Sequence, residues 1–147
     1  IEFSSDFIIG YPGESNQDYN DTLNLIKKIN FINSYSFNYS SRPGTVAANL
    51  GTIDKVVAEK RLKVIQNQLF KNQINRNKSL EGKIIEVLVE NKMKDKTKLF
   101  GRTEHMVSVI FRGSVENVGK IIQVRIDSSN QNNLFGTIIK TQNKKVA

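Results

Sequence analysis

The sequence predicts an α+β chain in two parts: a β-α-β-α portion of an α/β domain, then a five-stranded, OB-like antiparallel β-barrel. Three observations predict this class. Strand-like and helix-like periods alternate up to about Lys78, only period-two alternation remains from Leu80 onward, and a polar, poorly periodic run from Lys71 to Ser79 separates the two textures. The expected division is 1–78 for the α/β portion, 79–141 for the barrel and 142–147 for a frayed tail that holds Lys144 and Lys145.

Phe3 to Gly10 reads as a short buried strand that runs into the adjacent breakers of Tyr11-Pro12-Gly13-Glu14. Ser15 with Asp18 three residues on has capping-box spacing, and Tyr19, Leu23, Ile26 and Ile29 then make one apolar stripe. Lys27 and Lys28 near its end suit the helix dipole. Tyr35, Phe37 and Tyr39 alternate with Ser34, Ser36, Asn38 and Ser40, which predicts a second strand with one face buried. Strand, helix and strand in this order imply a parallel pair and a right-handed crossover.

Pro43 and Gly44 end that strand, because proline cannot donate to a ladder and glycine permits positive φ. A second helix is expected from Thr52 or Asp54, with Ala58, Leu62, Ile65 and Leu69 on one face, and a linker is expected over Lys71 to Ser79. Two strands and two helices do not close a parallel sheet, so this part reads as the tail of a larger α/β domain.

In the second part, Ile85, Val87 and Val89 alternate with polar or outward residues, as do Val107, Val109 and Phe111, and Ile122, Val124 and Ile126. Leu99 to Thr103 supplies a short strand or bulge, and Leu134 to Lys140 a last strand; Lys92 to Lys98 reads as a charged hairpin tip. Five short strands in so small a span favour a closed barrel, which removes exposed edges. No internal repeat is evident at this level.

The chain has 147 residues, 38% hydrophobic, and no cysteine, which excludes disulfides, thiolate metal sites and thiol nucleophiles within it. His105 is its single histidine, so a histidine-rich zinc site is also excluded, and His105 reads as a loop residue. No apolar run is long enough to span a membrane, and the N-terminal stretch lacks the layout of a signal peptide. The chain begins on Ile1, so a fragment or processed piece is expected. The net charge of +8 points to an anionic partner, with nucleic acid the commonest; lysines serving solubility are the plainer alternative. Through Lys78 there are 10 basic and 7 acidic residues, and beyond it 12 and 7, so the excess leans to the second part, +5 against +3.

Three ordered stretches, DFIIGYPGES with its helix, YSFNYSSRPGTVAA, and the block from GRTEHMVSVIF through VGKIIQVRID to LFGTIIK, together resemble the MiaB-type radical S-adenosylmethionine methylthiotransferases that modify tRNA. The resemblance covers nearly the whole chain, and Ser41-Arg42-Pro43-Gly44-Thr45 is closer to the tRNA-modifying branch than to the branch acting on a ribosomal protein. It implies that residues 1–78 are the last β/α units of a partial radical-SAM β/α barrel and that residues 79–141 are a TRAM domain that holds RNA. It further implies 2-methylthiolation of N6-isopentenyladenosine next to the anticodon, a cytoplasmic location, S-adenosylmethionine and [4Fe-4S] clusters in the parent enzyme, and no cluster ligand in this cysteine-free chain. By itself the chain is then expected to bind rather than react.

The same resemblance places Ile8, Gly10, Gly13 and Glu14 at the S-adenosylmethionine pocket; a buried strand, a tight turn and a carboxylate at a helix N-terminus account for them equally well. For RNA, guanidinium chemistry points to Arg42 at the barrel mouth, with a turn arginine paired to a nearby carboxylate as the plainer alternative, and, in the small barrel, to Arg102 and Thr103 after Gly101, with Arg112, Lys120 and Arg125 extending the basic face. Either Phe100 or Phe111 is a candidate to stack a base, and alternation favours Phe111 as core. The expected partner is the anticodon stem-loop of tRNA, with a separately encoded N-terminal half as a second partner; no membrane is involved. A free-standing basic OB-like RNA-binding module without enzymatic activity remains the alternative.

Overall fold

The computed structural model describes residues 2–95 and 97–139, and the chain divides into two compact units, Ile1–Gln73 and Ile74–Ala147. In the first unit strand β1 (Asp6–Ile9), helix α1 (Asn16–Lys28) and strand β2 (Tyr35–Asn38) form a β-α-β unit. The strands pair in parallel with Ile8 opposite Phe37. Ser15 makes the expected capping box: its Oγ accepts from the Asp18 N–H at 3.1 Å, and Asp18 Oδ2 accepts from the Ser15 N–H at 2.8 Å. A 3-10 turn (Val46–Asn49) follows, with Thr45 as its N-cap, and then helix α2 (Lys55–Lys78). Asp54 caps α2, its Oδ1 accepting from the Val57 N–H at 3.0 Å.

Phe7 and Ile9 on one sheet face pack with Ile26 of α1, Phe31, and Ile65 and Leu69 of α2 to form the core of this unit, and Tyr19, Leu23, Ile29 and Leu62 pack against it. The aromatic face of β2 is not the buried one: Tyr35 is 65% and Phe37 54% exposed, with Ile8 beside them at 57%. The parallel register settles this. It puts Phe7 and Ile9 on the helix-covered side, and Ile8 and Phe37 on the other.

The linker expected over Lys71 to Ser79 is instead helix through Lys78. Its buried asparagines explain why so polar a run stays ordered. Asn72 Nδ2 donates to the Ile26 carbonyl at 2.9 Å, satisfying an orphan acceptor near the end of α1, while Asn77 Nδ2 donates to the carbonyls of Asn130 and Gln131 inside the second unit.

The second unit is a closed barrel of five strands, β3 (Ile84–Lys92), β4 (Lys98–Arg102), β5 (Ser108–Arg112), β6 (Ile121–Ser129) and β7 (Asn133–Ile138), in the order β3-β4-β5-β7-β6. It is not wholly antiparallel, because β5 and β7 pair in parallel. Val87, Val89, Leu99, Val107, Val109, Phe111, Val124, Ile126 and Leu134 fill its interior. Lys96, Lys140, Lys144 and Lys145 lie outside the described residues.

The barrel does contain a repeat. Gly82-Lys83-Ile84-Ile85-Glu86-Val87-Leu88-Val89-Glu90 corresponds to Gly119-Lys120-Ile121-Ile122-Gln123-Val124-Arg125-Ile126-Asp127, and Leu99-Phe100-Gly101 to Leu134-Phe135-Gly136. The pairing of β3 with β6 is symmetric about Glu86 and Gln123, with Ile84 opposite Arg125 and Leu88 opposite Ile121. Equivalent clamps close both ends: Gly82 N–H to Ile126 O and Gly119 N–H to Val89 O, both 2.8 Å, then Ile126 N–H to Lys83 O and Val89 N–H to Lys120 O at 2.9 and 3.0 Å. Even the bulges correspond, between Val89 and Asn91 and between Ile126 and Ser128. The two β-hairpins are related by an approximate twofold axis, and β5 breaks it. The differing intervals between the paired stretches and the unrelated β5 segment hide the repeat from a search at one fixed period.

Gly101 and Gly136 occupy equivalent places in these hairpins. A Cβ on Gly101 would lie 2.4 Å from the Leu88 carbonyl oxygen, and one on Gly136 2.4 Å from that of Arg125, where backbone has no room to give. Gly101→Ala and Gly136→Ala should each lower stability by about 1–3 kcal/mol or more. In urea titrations of all three variants, Gly51→Ala, which meets open space, should stay within about 0.5 kcal/mol of the parent.

Candidate nucleic-acid interface

Strand alternation sends Leu99, Gly101, Val109, Phe111 and Leu134 inward and leaves Lys98, Phe100, Arg102, Ser108, Ile110, Arg112, Phe135 and Thr137 on the outer face. Register then sorts the outer face into rows that cross the strands. One row runs Lys98, Arg112, Thr137, Arg125 through β4, β5, β7 and β6. A second, two residues along each strand, runs Phe100, Ile110, Phe135 and ends on Ser128 of β6. Lys98, Ile110, Arg112, Asp127, Phe135 and Thr137 line a shallow groove on this face.

The cations of the first row differ in their tethering. Lys98 Nζ stands 3.5 Å from Asp95, and Arg125 Nε donates to Asp127 Oδ1 at 3.2 Å; both side chains remain about half exposed, whereas Arg112 projects into solvent. Asp127 also accepts from Thr137 Oγ1 at 2.7 Å, and that hydrogen bond, with Arg125 adding to it, holds its carboxyl below the ordinary aspartate range. Arg102 sits 5.7 Å over the Phe100 ring and 3.4 Å from Glu90. The Glu90–Arg102 pair and the Asp127–Thr137 hydrogen bond are equivalents under the barrel's approximate twofold.

Of the barrel residues singled out from sequence, Arg102, Arg112 and Arg125 lie on this outer surface, Arg112 and Arg125 in a single row. Lys120 sits apart, exposed in the turn before β6 with its backbone in the closing clamp. Thr103 is buried: its Oγ1 accepts from the N–H groups of His105 and Val107, so it shapes the turn after β4. His105 lies in that turn, 3.4 Å from the Glu104 carboxylate. Phe111 is core at 2% exposure, which leaves Phe100 as the outward ring. Lys98, Ile110 and Phe135 were not recognised from sequence. The recurrence of Leu-Phe-Gly at Leu99 and Leu134 was the signal that would have found Phe135.

In the first unit, Arg42 is exposed in the turn after β2, where its carbonyl accepts from Thr45 Oγ1 at 2.8 Å. Ile8 is on the exposed sheet face; Gly10 and Gly13 take positive φ of 77° and 86°. At Gly10 a side chain would collide with Ala58 of α2, 2.9 Å from its Cβ. Glu14 is engaged on both oxygens: Oε2 accepts from the Gly10 N–H at 2.8 Å and Oε1 pairs with Arg61, which also donates to Asn16 and lies 5.2 Å over the Tyr19 ring. That ion pair is nine-tenths buried and ties the β1–α1 turn to α2. Among the described residues no group of acidic or histidine side chains is disposed to hold a metal, and no helix is long and apolar enough to cross a membrane.

A closed barrel of five short strands defines a small OB-like β-barrel domain, and residues 78–139 match the family model of the TRAM domain. The whole chain is related to tRNA-2-methylthio-N(6)-dimethylallyladenosine synthases, the MiaB-type methylthiotransferases. It is 64% identical over 147 residues to that of Pelagibacter ubique (strain HTCC1062), covering all of this chain and 33% of the relative. It is 44% identical over 140 residues to that of Ruthia magnifica subsp. Calyptogena magnifica, and 40% over 140 residues to that of Orientia tsutsugamushi (strain Boryong), covering 32% and 31% of those proteins. The chain thus spans about a third of the length of the curated relatives it matches.

Thr137→Val removes the largest cause of the low Asp127 pKa. A carboxylate whose folded pKa is depressed contributes stability that is present above the unfolded value and is lost as pH falls through the folded one. The variant should therefore raise the Asp127 midpoint toward the ordinary aspartate range, read by NMR titration of its carboxyl carbon, and should soften the acid-side loss of stability.

Proposed function

We propose that this chain is the C-terminal part of a tRNA methylthiotransferase that methylthiolates N6-isopentenyladenosine next to the anticodon, and that its barrel holds the tRNA substrate. The observation that carries the proposal is the row Lys98, Arg112, Thr137, Arg125, which sets three cations across four neighbouring strands of a TRAM-matched barrel. Strand spacing of about 4.8 Å lets such a row follow a phosphate backbone.

In this reading residues 1–78 supply the last β/α units of the radical-SAM domain, 79–141 the RNA-binding barrel and 142–147 a tail, in a cytoplasmic enzyme. The exposed Ile8, Tyr35 and Phe37 face supports further β/α units packing there, from the same polypeptide or from a separately encoded N-terminal half. Ile8 fits the apolar flank of an S-adenosylmethionine adenine, and the Gly10–Gly13 turn would lie beside it. Glu14 is nine-tenths buried with Gly10 on one oxygen and Arg61 on the other, which weighs against a ribose contact. The chain's residues do not fit a [4Fe-4S] cluster, because it contains no cysteine. Its own contribution is to bind and orient RNA, with the redox chemistry lodged in other parts of the enzyme.

Titrating the chain across a salt series with an anticodon stem-loop carrying isopentenyladenosine, beside an unrelated hairpin of equal length, tests this. The stem-loop should bind more tightly. Lys98→Ala and Arg112→Ala should each flatten the plot of log K against log salt by about one unit. Equal affinity for both RNAs with slopes unmoved by either substitution would overturn the proposal.

A further inference from the structure

The second outer row carries something the charge alone does not require. Phe100, Ile110 and Phe135 are direct neighbours across β4, β5 and β7, and all three point away from a core that Leu99, Phe111, Val109 and Leu134 already fill. An outward aromatic is not demanded by packing, yet Phe stands at the equivalent place in both hairpins, Phe100 and Phe135, directly before the close-approach glycines. Each ring is partly exposed, and Phe135 and Ile110 line the groove together with Arg112 and Lys98.

Resting on the RNA reading above, we infer that the Phe100, Ile110, Phe135 row is a stacking floor for unpaired bases, so that the RNA taken by this face is single-stranded. The rows lie two residues apart along the strands, about 6.7 Å, so a nucleotide whose phosphate meets the Lys98–Arg112–Arg125 row projects its base over the aromatic one. Phe100 and Phe135 stand two strand spacings apart, about 9.6 Å, with Ile110 as an apolar floor between them. A base within a duplex has both faces covered by its neighbours and cannot meet this floor, whereas a splayed loop base can. Arg102, held over the Phe100 ring, keeps a cation at that end of the row. Ser128, at the other end on β6, offers a hydroxyl to a base edge.

The test compares three probes on the whole chain: an unpaired RNA of mixed sequence, a blunt duplex of the same length, and an abasic strand with the same phosphates and no bases. The unpaired strand should bind at least about five-fold more tightly than the abasic one for each base stacked, and the duplex should match the abasic strand. Phe135→Leu, which keeps apolar bulk but removes the π face, should lower affinity for the unpaired strand by a similar factor and leave the abasic strand unaffected, while Phe135→Tyr should restore it. Matching thermal melts of the variants separate loss of stacking from loss of fold. Equal binding of normal and abasic strands, or an equal fall on both with Phe135→Leu, would overturn the stacking floor. Either result would leave the phosphate-based reading standing, because the abasic strand keeps every phosphate; salt-insensitive binding of all three probes would overturn both.

Discussion

Everything in the second unit depends on the antiparallel pairing of β3 with β6. This contact turns two hairpins into a closed surface; without it the five strands would form an open sheet with two unpaired edges. The clamps from Gly82 and Gly119 pin its ends, and the Glu86–Gln123 pair marks its centre. Closure also forces strong curvature. Backbone from β3 crosses over β4 at Gly101, and backbone from β6 crosses over β7 at Gly136, so closely that only hydrogen fits beneath the carbonyls. The bulges at Val89 and Ile126 provide the bend that makes the approach possible. One solution to the problem of closing a small barrel has been used twice, and β5 joins the copies by pairing antiparallel to β4 and parallel to β7.

Closure and surface chemistry are linked through the pleat. Once Val87, Val89, Leu99, Val109, Phe111, Val124, Ile126 and Leu134 commit to the interior, every alternate side chain is committed outward, and register alone decides which of them become neighbours. Residues far apart in sequence, Lys98, Arg112 and Arg125, thereby fall into a single row, and Phe100 and Phe135 into the next. A slip of one residue would exchange core and outer surface together. The carboxylates of Asp95 and Asp127 hold Lys98 and Arg125 in place while lowering the local positive potential.

The first unit follows another logic. Its helices cover one side of a two-stranded parallel sheet, and a few specific contacts hold it: the Glu14–Arg61 pair, the close approach of Gly10 to the Ala58 methyl, and Asn72 on the Ile26 carbonyl. The first two fasten the β1–α1 turn to α2, the third ties α2 to the last turn of α1, and Ile8, Tyr35 and Phe37 face outward.

Much of the architecture was legible from residue order. The Ser15 capping box, the apolar stripe of α1, the Asp54 start of α2 and the five strands of the barrel are local or periodic features, fixed by hydrogen bonds and burial patterns within a few residues. The net charge of +8 pointed further to an anionic partner. What sequence left open or read differently was set by contacts between distant segments. Which face of β2 is buried depended on its register with β1; whether Lys71 to Lys78 is helix depended on partners for Asn72 and Asn77; whether Thr103 meets a ligand or shapes a turn depended on where Val107 lies. The twofold relation of the hairpins and the placing of Phe135 beside Ile110 belong to the same group, since lateral neighbours in a sheet are assigned by strand pairing, and strand pairing is a property of the closed barrel rather than of any one segment.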